Sequence, residues 1–127
     1  MNIPANLKYT KEHEWIKVEG NMATIGITDY AQGELGDIVF VELPAVGASV
    51  TYMKAFGTIE AVKAVSDLFS PVTGKVAAIN AKLDNEPMVI NKDPYGDGWM
   101  IRVECSNLAE LEQLLSDSGY KEVLASA

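Results

Sequence analysis

The clearest pattern along the chain is a pair of short apolar runs with alternating polar positions, Phe56–Val62 and Val65–Phe69. Alternation with a period of two predicts two β-strands and places Ile59, Ala61 and Lys63 on one face of the first strand. A cation at the end of this otherwise apolar row indicates that the chain turns there. The residues between the two runs include neither Gly nor Asn, so the turn itself carries no local sequence signal.

Similar alternation predicts most of the remaining strands. They are expected at residues 7–9, 13–19, 22–27, 37–43, 75–79 and 99–105. Gly20-Asn21 separates two of these runs and indicates a hairpin. A short helix is predicted from an N-cap at Thr28 or Asp29 to Gly36, where the glycine ends it.

The second half of the chain contains more turn and loop signals. Ser70–Gly74 is predicted to be a turn and Asn80–Pro87 a polar loop. A single helical turn is expected over Pro87–Asn91, and Asp93–Gly98 is dense in turn formers. The last predicted strand follows these turn formers.

The period becomes helical after residue 106. Asn107 and Glu110 have the spacing of a capping box, which predicts a helix start. The apolar stripe that follows, expected to pack on the sheet, consists of Leu108, Leu111, Leu114 and Leu115. Gly119 is predicted to end this helix, and a last short helix is expected over Tyr120–Leu124. The sequence therefore predicts a mainly β domain with peripheral and C-terminal helices.

Composition and charge narrow the possible partners. The chain has 127 residues, 48% of them hydrophobic and 22% charged, which is typical of one globular domain. Its formal net charge of −8 argues against binding to nucleic acid or to anionic lipid, because both require clustered Lys and Arg. An acidic carrier or enzyme that meets basic partner surfaces fits this charge better.

Few residues could support catalysis or metal binding. Cys105 and His13 are the only residues of their types, so neither a disulfide, a cysteine zinc site nor a His cluster is expected. Cys105 alternates with Ile101 and Val103 and is expected to be a buried core thiol. Nucleophile-elbow and phosphate-binding glycine motifs do not occur. The N-terminus resembles neither a secretory nor a mitochondrial leader, so we expect a cytoplasmic protein.

Lys63 has two interpretations from the residues alone. It is either a solvated turn residue or a reactive handle presented between two strands. A lysine amine is mostly protonated at neutral pH, and use as an enzymatic nucleophile would require desolvation or a nearby cation. A hairpin tip supplies neither, although it leaves the amine accessible to a modifying enzyme.

Several short motifs resemble those of the glycine cleavage H-protein family. The lysine-bearing hairpin is similar to a lipoyl-attachment hairpin in Glu60–Ala64, Ser66-Asp67 and Ser70–Val76. Supporting motifs are His13-Glu14-Trp15, Gly26–Gln32, Leu35-Gly36-Asp37, Val41–Pro44, Asn91, Pro94-Tyr95 and Gly98-Trp99-Met100. The likeness runs from about residue 7 to residue 124. It implies a lipoyl/biotinyl-carrier-like barrel-sandwich of two antiparallel sheets, formed by one domain over 1–127. The core would span about 7–105, and the C-terminal helical segment 106–126.

The resemblance also implies a function. Lys63 would carry lipoate in amide linkage and shuttle an aminomethyl group from the pyridoxal-phosphate enzyme glycine decarboxylase to a tetrahydrofolate-dependent aminomethyltransferase. Dihydrolipoyl dehydrogenase would reoxidise the dithiol, and a lipoate-attaching ligase or transferase would modify the lysine. The protein would therefore be a carrier rather than an enzyme.

The resemblance further implies that a groove shelters the loaded arm. Glu14 and Asp67 match family positions that could face such a groove, and His13 is a third candidate. The alternative is that Glu14 is a solvated strand residue and that Asp67 caps the turn after Lys63.

Other functions for the same lysine stay open. The chain could be a lipoyl domain of a 2-oxoacid dehydrogenase complex, although such domains are shorter and joined by linkers. It could relay lipoate to other proteins. A biotin carrier fits less well, because Val62 and Ala64 stand where methionines would flank the lysine. A small enzyme that uses Lys63 as its nucleophile would lack a nearby general base.

Overall fold

The computed structural model describes residues 1–126. The strands are β1 Lys8–Tyr9, β2 Glu14–Glu19, β3 Met22–Ile27, β4 Ile38–Glu42, β5 Ser49–Val50, β6 Ala55–Ala61, β7 Val65–Phe69, β8 Gly74–Ile79 and β9 Ile101–Cys105. The α-helices are α1 Asp29–Leu35, α2 Lys82–Asn85, α3 Val89–Lys92 and α4 Asp117–Ala125. A 3₁₀ helix spans Leu108–Gln113. The strands predicted from alternation are confirmed to within one or two residues at most ends.

The strands form two sheets in which every pair is antiparallel. The larger sheet has the order β1-β2-β3-β9-β8-β5, and the smaller has the order β4-β6-β7. This arrangement confirms the predicted mainly β fold of two antiparallel sheets with short helices. The smaller sheet carries Lys63 at the end of its central strand, between β6 and β7.

The core lies between the two sheets, because the alternating apolar positions of both point toward each other. Ile25, Ile101 and Val103 of the larger sheet and Ile59 of the smaller one are at most 1% exposed and belong to one continuous cluster. A second cluster consists of Leu7, Tyr9, Trp15 and Tyr120. The second cluster attaches α4 to β1 and β2, so the C-terminal helix packs on the sheet near its N-terminal edge.

The connection around Lys63 is one residue longer than the two apolar runs predict. Glu60 pairs with Val65, and the Ala61 N–H donates to the Ala64 carbonyl over 2.8 Å. Three residues, 62–64, therefore connect the strands. The row predicted to share a face is buried at Ile59 and Ala61 and becomes exposed at Lys63, as expected where a strand leaves the sheet.

Several predictions for the second half of the chain are wrong. The segment Asn80–Pro87 is not simply a polar loop, because it contains α2, whose Leu83 is 3% exposed and joins the core. Burial of this single apolar side chain gives the segment a helical turn that composition alone did not indicate.

The C-terminal helices also differ from their prediction. Asn107 does cap a helix start, accepting from Ala109 N, but the segment is 3₁₀ and leaves Leu108 47% exposed. Glu110 does not complete a capping box, because its carboxylate accepts from the backbone N and the Oγ1 of Thr73, both over 2.7 Å. Gly119 does not end a helix; it lies inside α4, which Ser116 caps.

Candidate functional site

Lys63 stands at an exposed point of the surface. Its neighbours Val62 and Val65 are 74% and 66% exposed, although both are apolar. Among residues 1–126, the ion pairs join Lys82 to Asp97 and Lys121 to Asp117, and neither engages Lys63. The Lys63 amine is therefore accessible to a modifying enzyme, while paired strands on both sides hold its backbone.

The stem of Lys63 crosses the end of α1 at Gly36. Gly36 has φ 79° and ψ −156°, a backbone conformation that is almost restricted to glycine. A Cβ at this position would lie 2.9 Å from Lys63 Cε. The next residue, Asp37, accepts a backbone hydrogen bond from Val62 N over 3.1 Å. The end of α1 thus supports the hairpin and leaves room for the lysine stem.

Replacement of Gly36 by alanine tests this support. We expect Gly36→Ala to lower the free energy of unfolding by about 1–3 kcal/mol, because an L side chain is strained in this conformation. Gly33→Ala is the matched control: Gly33 lies within α1, and among residues 1–126 nothing comes within 4 Å of the carbon that alanine would add there. That alanine should stabilise the helix by up to about 1 kcal/mol. Urea denaturation of both variants measures the difference. A Gly36→Ala protein as stable as the wild type would contradict the assignment.

A groove of about 180 Å³ lies beside the hairpin. Its walls come from the β1–β2 connection, from one face of α1 and from β6 and β7. The lining residues are Glu12, His13, Glu14, Ile27, Tyr30, Ala31, Glu34, Leu35, Ile59, Ser66, Asp67 and Leu68. The three residues predicted from the sequence as groove candidates, His13, Glu14 and Asp67, are therefore brought together around one cavity, which residues of both hairpin strands also line.

Glu14 is the buried acid of this groove. It is 1% exposed, and its carboxyl oxygens accept from Thr10 Oγ1 over 2.6 Å and from Phe69 N over 3.2 Å. The interpretation of Glu14 as a solvated strand residue is therefore wrong. Burial raises the pKa of Glu14 to about 8, although both hydrogen bonds act in the opposite direction. Near neutral pH the groove thus contains a carboxyl group that is largely protonated.

Asp67 contributes a second carboxyl group to the groove lining. It is exposed and lies inside β7, where it pairs with Thr58 of β6. Its position within the strand, beyond the turn, does not match the alternative interpretation of Asp67 as a turn cap. An exposed carboxylate and a buried acid therefore face the same cavity from different elements.

His13 forms part of the groove rim. It has φ 71° and is half-buried, with its Nδ1 atom 2.8 Å from the hydroxyl oxygen of Tyr120. Its ring lies 4.9 Å from the ring of Tyr30. Burial lowers the pKa of His13, while Glu12 and Glu34 raise it by a smaller amount. Burial thus favours the neutral imidazole.

Sequence reasoning missed the contribution of α1 to the groove. Tyr30, Ala31, Glu34 and Leu35 line the cavity and lie at helical spacings of three and four residues. Such spacing indicates that they share one face of the helix. The sequence pattern could therefore have identified the face, but not the cavity that the face covers.

The groove combines apolar and polar walls. Ile27, Ile59 and Leu68 provide apolar surface, while Glu14 and Asp67 provide oxygen acceptors. A flexible, largely apolar arm rooted at Lys63, with a polar or cationic end, fits this combination. Together with the two packed sheets, an exposed lysine at a hairpin tip defines the class of lipoyl- and biotinyl-type carrier proteins.

Comparisons with known proteins identify the family within this class. The family model for the glycine cleavage H-protein matches residues 7–127. A glycine cleavage system H protein of Carboxydothermus hydrogenoformans is 56% identical over 122 residues, covering 96% of this chain and 94% of the relative. One of Bacteroides fragilis is 54% identical over 124 residues and 98% of each chain. A crystal structure of a glycine cleavage system H protein from Mycobacterium marinum aligns with a TM-score of 0.89 at 37% identity, covering 97% of this chain and 99% of that one. The chain belongs to the glycine cleavage H-protein family.

Membership of this family supplies the general function. The family comprises non-catalytic lipoyl carriers of the glycine cleavage system, which bear the lipoyl group covalently on a lysine. The exposed Lys63 amine and the groove beside it fit such a group. Within residues 1–126, no helix has the length and apolar character needed to cross a lipid bilayer.

Proposed function

We propose that Lys63 is the lysine that carries the lipoyl group. The observation that carries this proposal is its exposed position in the three-residue connection between β6 and β7, the two strands that also line the groove. Amide formation replaces the ammonium group by a neutral amide and changes the formal net charge from −8 to −9. When attached, the lipoyl group would supply a disulfide that is reduced as it takes up the aminomethyl group. Release of that group would leave a dithiol, which dihydrolipoyl dehydrogenase would reoxidise.

The hairpin fixes the root of the arm. Since paired strands hold residues on both sides of Lys63, only the side-chain bonds and the attached group need to move. Tethering of this kind keeps the end of an arm near a docked partner at an effective concentration on the order of mM. The carrier therefore contributes reach and local concentration rather than chemistry of its own.

We propose that Glu14, Asp67 and His13 serve the groove that receives the arm. The carboxyl oxygens of Glu14 and Asp67 can accept hydrogen bonds from an amine at the arm's end. A largely protonated Glu14 accepts without a buried negative charge, and the exposed Asp67 carboxylate provides the charge at the rim. Apolar walls from Ile59 and Leu68 exclude water from one side of the arm.

Partners follow from the family. Other components of the glycine cleavage system are implied as partners by family membership. We propose more specifically glycine decarboxylase, aminomethyltransferase and dihydrolipoyl dehydrogenase, together with the ligase or transferase that attaches lipoate to Lys63. The net charge of −8 favours basic docking surfaces on these proteins.

Two further predictions accompany this proposal. We propose that residues 1–127 form a single carrier domain, supported by the continuous core that joins both sheets. We also propose a cytoplasmic location, consistent with the bacterial relatives of the chain.

Intact-mass measurement tests the attachment site. Protein isolated from its native cells, or incubated with a lipoate-attaching enzyme, lipoate and ATP, should gain the mass of one lipoyl group. Peptide mapping should place the adduct on Lys63, because its amine is exposed at the hairpin tip. An adduct on another lysine, such as the exposed Lys75 of β8, would contradict the proposal.

A further inference from the structure

A chain of hydrogen bonds connects the C-terminal helix to the groove. Tyr120 is the buried residue of α4, and its hydroxyl oxygen lies 2.7 Å from Thr28 Oγ1 and 2.8 Å from His13 Nδ1. Thr28 is fully buried and caps α1, where its Oγ1 accepts from Ala31 N over 3.2 Å. One hydroxyl group therefore contacts both the groove histidine and the N-cap of the groove helix.

The donors and acceptors in this chain have one direction that satisfies every atom. Thr28 Oγ1 accepts from Ala31 N and donates its own proton to the Tyr120 oxygen. Tyr120 then donates to His13 Nδ1, which must be an acceptor. This direction requires a neutral imidazole with its proton on Nε2, in agreement with the neutral state that burial favours for His13. Reversal would leave the buried Thr28 proton without an acceptor.

The histidine held in this way forms part of the groove wall. His13 adopts φ 71° and packs its ring 4.9 Å from that of Tyr30 of α1. Both residues line the cavity. The His13 ring is therefore the surface against which Tyr30 packs, and the Thr28 cap lies at the start of α1.

Helix α4 is attached through the same tyrosine. The Tyr120 ring stacks on Tyr9 at 4.8 Å with an angle of 8° between the planes. A helix of nine residues is too short to persist without such packing. The stacking thus holds the Tyr120 hydroxyl within hydrogen-bond distance of His13 and Thr28.

We propose that Tyr120 is a positioning residue of the groove: its hydroxyl orients the His13 ring against Tyr30 and secures the N-cap of α1. Through Tyr120, helix α4 then determines the shape of the groove wall without lining the groove itself. This proposal goes beyond lipoyl carriage, because it concerns the unmodified chain. It depends on the proposed function only for the identity of the groove's occupant.

Tyr120→Phe tests the proposal, with Tyr9→Phe as the matched control. Both variants remove one hydroxyl from the same stacked pair and keep both rings, but the Tyr9 hydroxyl donates to the Pro4 carbonyl instead. Nitrogen-15 NMR of the His13 ring in the unmodified protein reports the tautomer, and amide exchange reports the Ala31 N–H. We expect the wild type and Tyr9→Phe to show the Nε2–H tautomer. Tyr120→Phe should lose this single tautomer and exchange Ala31 roughly tenfold faster, as expected for loss of one buried hydrogen bond.

Two results would overturn this inference independently of where the lipoyl group is attached. The first is equal behaviour of Tyr120→Phe and Tyr9→Phe in both measurements. The second needs no variant: a proton on His13 Nδ1 in the neutral wild-type ring would reverse the hydrogen-bond chain. Since both readouts use the unmodified chain, failure of Lys63 to accept lipoate would leave them unaffected.

Discussion

Replacement of Lys63 by arginine should reduce the exchange of carbon dioxide with the carboxyl group of glycine to the background without the protein. Arginine preserves the positive charge and the long stem, but its guanidinium cannot form the lipoyl amide. The fold should be unaffected, because residue 63 is exposed and engaged in neither of the ion pairs within residues 1–126. The measurement is isotope exchange with glycine decarboxylase after incubation with a lipoate-attaching enzyme.

Lys75→Arg provides the control for this loss. Lys75 is also exposed and lies on a strand, in β8 of the larger sheet, but away from the hairpin tip. It should retain full exchange and full lipoylation. Exchange activity in Lys63→Arg, or its loss in Lys75→Arg with intact folding, would refute Lys63 as the attachment site.

The strands were predictable because their burial pattern is local. Met22–Ile27 and Ile101–Cys105 alternate in the sequence, and every second side chain enters the core. The hairpin at Lys63 could not be predicted from a local pattern in this way. Its turn contains no Gly or Asn, and it is supported from another element by the hydrogen bond from Val62 N to the Asp37 carbonyl and by Gly36, which leaves room for the Lys63 stem. Family resemblance, rather than pattern, located this turn.

Helical segments were predicted less well, because tertiary contacts determine them. Leu83 enters the core and so positions α2, and Glu110 accepts hydrogen bonds from Thr73 instead of completing the expected capping box. Gly119 is tolerated inside α4, where Tyr120 supplies the packing that holds the helix. None of these contacts can be identified from neighbours in the sequence.

In the candidate site, too, some features could be predicted from the sequence and others depend on tertiary contacts. His13, Glu14 and Asp67 were identified by resemblance, and the structure places all three around one groove. The burial of Glu14 could not be predicted, because β2 buries consecutive residues at its start, where alternation would expose one of them. Its raised pKa follows chiefly from that burial, with a smaller contribution from the nearby charge of Glu12.

Burial of Glu14 should make stability fall as pH rises through the neutral range. The pKa of Glu14 is raised from 4.5 to about 8 in the folded protein. Below pH 4.5 the group is protonated in both states and its contribution to stability is fully present. Between pH 4.5 and about 8 the unfolded chain releases the proton more readily, so this contribution is progressively lost. The shift corresponds to a loss on the order of 3–5 kcal/mol across the window.

Glu14→Gln should remove this component of the pH dependence. The amide oxygen can accept from Phe69 N, while the amide nitrogen replaces the oxygen that accepts from Thr10 Oγ1. The variant therefore loses one hydrogen bond at a cost that does not depend on pH, and it contains no titrating group at this position. Urea denaturation from pH 4.5 to 9 should show the variant gaining on the wild type as pH rises. Glu19→Gln, at the exposed end of the same strand, should follow the wild-type profile. Parallel profiles for wild type and Glu14→Gln would mean that Glu14 is a carboxylate rather than a protonated acid. An amine in the groove would then pair with a buried negative charge, contrary to the proposal.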